Sequence, residues 1–263
     1  MTQPIESLLN VMARLRDPVA GCPWDREQTL QSLTRYTVEE VYEVIDCIER
    51  GDHVALPDEL GDLLFQIVFY ARVAEEAGQF DFNQIVARIV DKLVRRHPHV
   101  FADAPVLDAS AQSARWEAQK AEERAGKGGQ NSALEDIPIA LPALMRAVKL
   151  QGRAARVGFD WPAAAAVFDK VQEEIRELEE ACAGTASARI EDELGDLLFT
   201  CVNLARHLGV EPETALRRAN TKFEQRFRLM ETLAAEQGKT LDGLPPPAQD
   251  ELWRAAKRAL DPL

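Results

Sequence analysis

Eight carboxylates fall into two matching sets. Glu40, Glu43, Glu59 and Asp62 lie in VEEVYEVIDCIE and DELGDLLFQ, and 134 residues later Glu174, Glu177, Glu193 and Asp196 lie in QEEIRELEEAC and DELGDLLFT. Both sets read E-x-x-E, fifteen residues, E-x-x-D. Residues three apart share a helix face, so each pair is two carboxylates side by side. Two such helices packed together bring four acids to one place, and four gathered anions need a cation. With only oxygen donors at the paired positions, Mg²⁺ or Mn²⁺ suits the set better than zinc. A single E-x-x-E in an acidic chain reads as an ordinary solvated helix face. The recurrence of all four acids at one spacing is what favours a metal site. A di-iron carboxylate site wants Glu-x-x-His, and no His stands three residues after any of these acids.

The surrounding residues say how the acids are held. From Leu60 to Ala71 the only charged residue is Asp62, and from Leu194 to Ala205 it is Asp196. A helix apolar nearly all round is expected to be buried, which places these acids at the edge of a core. Unpaired carboxylates there cost several kcal/mol or stay protonated. Most other segments also have helical periodicity, and Pro18, Pro23, Pro57, Pro98, Pro162 and Pro212 fall where helices start or stop. The expected fold is all-α.

The duplication extends past the acids. GCPWDREQ (21–28) has an echo in VGFDWPAA (157–164), each an aromatic and an Asp in a loop after an amphipathic helix, near 5–16 and 141–156. DKLVRRHPHVF (91–101) matches TKFEQRFRLM (221–230), and RWEAQK (115–120) matches LWRAAK (252–257), setting Trp116 opposite Trp253. Two tandem domains are expected, 1–120 and 136–263, joined by a polar, Gly-rich linker at 121–135. The GKGG inside that linker lacks both the phosphate-loop spacing and a preceding strand. His97 and His99, separated by Pro98, read as a capping or turn element. Gly61 and Gly195 are either tolerated near a helix start or keep space for metal, phosphate or another helix.

Net charge is -13, which argues against a nucleic-acid polymer as partner. Cys22, Cys47, Cys182 and Cys201 show no C-x-x-C pairing and are expected to be buried free thiols. No signal peptide or long apolar run is evident, so a soluble cytoplasmic protein that avoids membranes is expected.

With CPWD, DELGDLLFQ, RRHPHVF, VGFDW and KFEQRF around the paired acids, the chain resembles the MazG family of nucleoside triphosphate pyrophosphohydrolases, within the all-α NTP pyrophosphatase superfamily. The resemblance covers both halves. It implies hydrolysis of an NTP or dNTP to the monophosphate and pyrophosphate, by a Mg²⁺-activated water attacking the α-phosphorus, with broad base tolerance. It also implies a homodimer that completes each helix bundle. In the second half it implies Glu174, Glu177, Glu193 and Asp196 as catalytic metal ligands. The nucleotide contacts it implies are Lys170, Val171, Gln172, Glu173 and Glu174, then Arg189, Ile190, Glu191, Asp192 and Asp196, then Lys222, Phe223, Glu224, Gln225 and Arg226, and Trp253. In the first half the equivalent ligands are Glu40, Glu43, Glu59 and Asp62.

The halves differ at one position of consequence: Tyr36 stands where the second half has Lys170. That favours the second half for turnover. Two other readings fit parts of the pattern. One is a narrower pyrophosphatase of the same superfamily, dUTPase-like or phosphoribosyl-ATP pyrophosphatase-like. The other is a helical interaction module whose acids are a solvated surface.

Overall fold

The computed structural model describes residues 4–106, 108, 111, 112, 115, 116, 118, 119, 123, 132–184 and 187–260. These contain eleven α-helices and no strand, the all-α fold expected. The chain divides into two compact units, Met1–Glu123 and Arg124–Leu263. The division falls within the segment 121–135. The GKGG stretch lies outside the described residues.

The first unit holds α1 (Pro4–Leu15), α2 (Pro23–Glu27), α3 (Leu30–Arg50), α4 (Leu56–Glu76), α5 (Phe82–Arg96) and α6 (Pro98–Phe101). Local chemistry sets the boundaries. Thr29 and Ser32 exchange side-chain to backbone hydrogen bonds at 3.1 and 2.9 Å, capping α3 at its start. Gly51 ends α3 in the left-handed region at φ 68°, which a side chain would strain. Asp81 and Gln84 cap α5 in the same reciprocal way. Pro23 and Pro98 open α2 and α6, where a missing N–H costs nothing. The segment GCPWDREQ is therefore part helix rather than all loop. His97 ends α5 and precedes α6, with Nδ1 2.7 Å from the Leu93 carbonyl, a capping role.

A short connection makes α3 and α4 an antiparallel pair, and α1 packs across α4. Met12, Leu33, Val68 and Phe69 are fully enclosed there, with Leu8, Tyr36 and Phe82 around them. Each contributes roughly 1.5–3 kcal/mol of burial.

The second unit repeats the plan with α7 (Ala143–Arg156), α8 (Ala164–Ala183), α9 (Ser187–His207), α10 (Pro212–Glu236), a 3₁₀ turn at Leu241–Gly243 and α11 (Pro246–Leu260). Helices α8 and α9 form the equivalent pair, α7 packs on α9, and α10 packs on α11. Met230, Ala234, Leu252 and Ala256 form the core between the last two.

Burial departs from expectation in two places. Leu60, Leu64 and Ile67 on α4, and Leu194 and Leu198 on α9, are exposed although their stretches are apolar nearly all round. One unit covers only some faces of these helices. For the same reason only Cys47 is buried; Cys22 is half-buried and Cys182 and Cys201 are exposed, all four as free thiols. None of the described helices is long and apolar enough to cross a membrane.

Candidate metal and nucleotide site

In the second unit α8 supplies Lys170, Glu173, Glu174 and Glu177 at spacings of three and four, and α9 supplies Arg189 and Glu193. One carboxylate oxygen from each of Glu174, Glu177 and Glu193 lies within 4.8 Å of the others. Glu174 is the enclosed member, 4% exposed. Lys170 Nζ lies 2.8 Å from Glu174 Oε1 and 2.7 Å from Glu173 Oε1. Arg189 Nε lies 3.4 Å from Glu193 Oε1.

These contacts set the protonation tendencies. Its bonds to Glu173 and Glu174 hold the Lys170 ammonium well above the usual lysine range, so it stays charged. The bond from Lys170 holds Glu173 below the carboxylate range. Partial burial pushes Glu177 up, against the pull of Lys170 and with the repulsion of Glu174.

The first unit builds the same cluster from Glu40 and Glu43 on α3 and Glu59 on α4, again with oxygens within 4.8 Å. Burial, then the charges of Asp62 and Glu43, push Glu40 up. Burial, then Glu43 and Asp62, push Glu59 up. The groups around this cluster are different, however. Gln66 reaches Glu40 Oε1 from 3.5 Å, a long and weak contact. Tyr36 turns away from the acids: its ring meets Trp24 edge-on at 5.5 Å, and the Arg35 guanidinium sits over it at 4.5 Å.

Three carboxylates therefore gather in each unit. Asp62 and Asp196 are exposed and do not join the sets of three. Asp62 still acts on Glu40 and Glu59 through its charge.

The other expected nucleotide contacts lie in two groups. Val171, Gln172 and Glu173 run along α8 beside Lys170, and Ile190, Glu191 and Asp192 run along α9 between Arg189 and Glu193. On α10, Phe223 packs against Trp253 of α11 at 5.5 Å and against Phe227 at 5.9 Å, while the Arg226 guanidinium lies 5.7 Å from the Trp253 ring. Lys222 and Gln225 are exposed on the same helix, and Glu224 pairs with Arg228.

Two partners of the acids were not anticipated. The Arg189–Glu193 pair is an i,i+4 spacing and was readable as such. Gln66 lies seven residues beyond Glu59 on the same face, the one polar residue in LLFQIVF. Gly61 and Gly195 have open space around them: a Cβ at either would meet no atom within 4 Å.

The fold and clusters define an all-α protein with a cluster of three carboxylates built twice into one chain. The MazG nucleotide pyrophosphohydrolase domain matches residues 28–101 and 164–228, and the chain belongs to that family. It is 56% identical over 256 residues to the nucleoside triphosphate pyrophosphohydrolase of Escherichia coli (strain K12), covering 97% of each chain. It is 43% identical over 252 residues to the nucleoside triphosphate pyrophosphohydrolase/pyrophosphatase MazG of Thermotoga maritima, covering 96% of this chain and 95% of that one.

Proposed function

We propose that this nucleoside triphosphate pyrophosphohydrolase cleaves its substrate at the second cluster, and that the first cluster binds cation without comparable turnover. The observation that carries this is the Lys170 ammonium at 2.8 Å from the buried Glu174, where the first unit offers Tyr36.

The donor set fits Mg²⁺, or Mn²⁺. It consists of hard oxygens only, three of them within 4.8 Å, on acids whose partial burial already disfavours charge at Glu177. Glu174, Glu177 and Glu193 would hold the ion, with Asp196, one turn along α9 from Glu193, as the further ligand. Such an ion supplies charge neutralisation on the phosphates and a water of lowered pKa.

The chain's own residues do the rest. Lys170 is committed to Glu173 and Glu174, and an arriving triphosphate competes for that ammonium. Its transfer to phosphate holds the substrate and releases Glu174, which takes the proton of the attacking water. The water oxygen bonds to the α-phosphorus, the bond from that phosphorus to the bridging oxygen breaks, and pyrophosphate leaves with the electron pair. Arg189 with Asp192, Lys222 to Arg226, and Trp253 contact the remainder of the nucleotide.

Substrates are NTPs and dNTPs with broad base tolerance. The net charge of -13 supports exclusion of nucleic-acid polymers. The apolar residues exposed on α4 and α9 support a homodimer, and four unpaired thiols support a reducing cytoplasm. The test is product analysis: with Mg²⁺ and a panel of NTPs in ¹⁸O water, label enters the monophosphate and pyrophosphate forms in equal amount. NDP with orthophosphate as first products would exclude attack at the α-phosphorus.

A further inference from the structure

Three cations of the first unit are set against a single carboxylate. Lys92, Arg95 and Arg96 lie at spacings of three and four near the end of α5 and so share one face. Glu123 meets two of them. Its Oε1 lies 2.9 Å from Arg95 Nη2 and accepts from Arg96 Nε at 3.3 Å, while its Oε2 accepts from Arg96 Nη2. The contact with Arg96 is therefore two-pronged, the fork geometry by which arginine also takes phosphate oxygens. The hydrogen bond from Arg96, joined by the charges of Arg96, Arg95 and Lys92, holds Glu123 below the usual carboxylate range, so it stays ionised. One negative charge answers three positive ones, in a chain whose net charge is -13. The cations are within reach of a ligand: Lys92 is exposed, and the Arg95 side chain is 63% exposed.

The duplication says what this face corresponds to. DKLVRRHPHVF and TKFEQRFRLM set Lys92 against Lys222 and Arg96 against Arg226, and Trp116 stands for Trp253. Continuing that last register sets Glu123 against Leu260, so the second unit has an apolar side chain where the first has a carboxylate. The tryptophans differ too. Trp253 faces Phe223 and Arg226, whereas Trp116 gives its Nε1–H to the Arg96 carbonyl at 3.1 Å and meets the His97 ring edge-on at 5.2 Å.

We propose that Glu123 is an autoinhibitory contact: it occupies, in place of a phosphate group, the arginine fork that the first unit would otherwise offer to a nucleoside triphosphate. The reading rests on Lys222 to Arg226 serving the nucleotide in the second unit. A carboxylate held within the same unit competes at high effective concentration, so a polyphosphate must displace it from both arginines before it binds. Together with Tyr36 in place of Lys170, the contact denies the first unit two of the cations by which the second holds its substrate.

The test is calorimetric titration of the full-length protein with inorganic tripolyphosphate in the presence of Mg²⁺. Glu123→Gln keeps the size of the side chain and removes its charge, and Glu123→Ala removes the side chain beyond Cβ. Each should bind about one more tripolyphosphate per chain than the wild type, through charge-assisted bonds set free at the arginines, and adding Arg96→Ala should abolish the gain. The same count in the wild type and both variants would overturn the proposal, as would a gained site that survives Arg96→Ala. An unaltered KM for NTPs in Arg226→Ala would instead overturn the reading of the second unit, and the tripolyphosphate count would still decide the role of Glu123.

Discussion

Lys170 Nζ lies 2.8 Å from Oε1 of Glu174, and through that contact the two carboxylate clusters of this chain cease to be equivalent. The first cluster gathers the same number of acids with no cation in the equivalent place, and burial and mutual repulsion raise Glu40 and Glu59. The second holds the Lys170 ammonium against Glu174 and Glu173.

Glu193→Gln should lower kcat/KM for NTPs by about a hundredfold or more, whereas Glu59→Gln keeps most of the activity. Lys170→Tyr, which copies the first unit, should cost roughly ten- to a hundredfold through the lost charge-assisted contact. Steady-state kinetics on one NTP panel compare all three. Equal losses from Glu193→Gln and Glu59→Gln would refute the division of labour.

Both clusters should bind cation, so removing one set of ligands should not abolish the stabilisation by Mg²⁺. At a hundredfold excess over the dissociation constant a site stabilises its folded state by about 2.7 kcal/mol. Calorimetric melting with Mg²⁺ and with chelator should show the shift in wild type. Glu40→Gln and Glu174→Gln should each remove part of it, and the double variant all of it. A shift retained in the double variant would place the ion elsewhere.

Leu64 on α4 and Leu198 on α9 are exposed in the single chain, 40% and 52%. If a second copy covers them, light scattering after size exclusion gives a dimer for the wild type and a smaller species for Leu198→Glu. A wild-type mass of 29.3 kDa at micromolar concentration would rule the dimer out.

Burial pushes the Glu76 carboxyl up, but hydrogen bonds from Arg16 and Arg72 outweigh it and hold the group below the usual range. Arg16 Nη2 lies 2.6 Å from Glu76 Oε2 and Arg16 Nη1 donates to the Gln28 carbonyl at 3.2 Å, tying α1, α4 and the end of α2 together. A carboxyl whose folded pKa is depressed contributes stability that is complete above its unfolded value, about 4.3, and lost as pH falls through the folded one. Glu76→Gln should therefore cost roughly 1–3 kcal/mol at pH 7, and the gap to wild type should close below pH 4. Urea midpoints at pH 7, 5 and 3.5 measure it; a gap that is constant with pH would deny the linkage.

Much of this molecule is legible in one dimension. Helical periodicity, proline placement and the caps at Thr29 and Asp81 are local, and so are the i,i+3 and i,i+4 spacings that put Glu174 beside Glu177 and Lys170 beside Glu174. The duplication is visible because each copy repeats the same ordered segments. Relations between helices are another matter. That Asp62 and Asp196 stand apart from the other three acids depends on how α4 and α9 are rotated against their partners. The exposure of Cys201, Leu64 and Leu198 depends on how many neighbours one unit supplies, which an apolar run does not state. The cavity beside Gln151 is subtler again. Gln151 of α7 and Phe199 and Asn203 of α9 border it, and these residues meet only in the fold. Spacing along a helix is set by backbone geometry the sequence carries locally, whereas cavities and open faces are set by side-chain volumes meeting from distant segments, and only the tertiary fold brings those together.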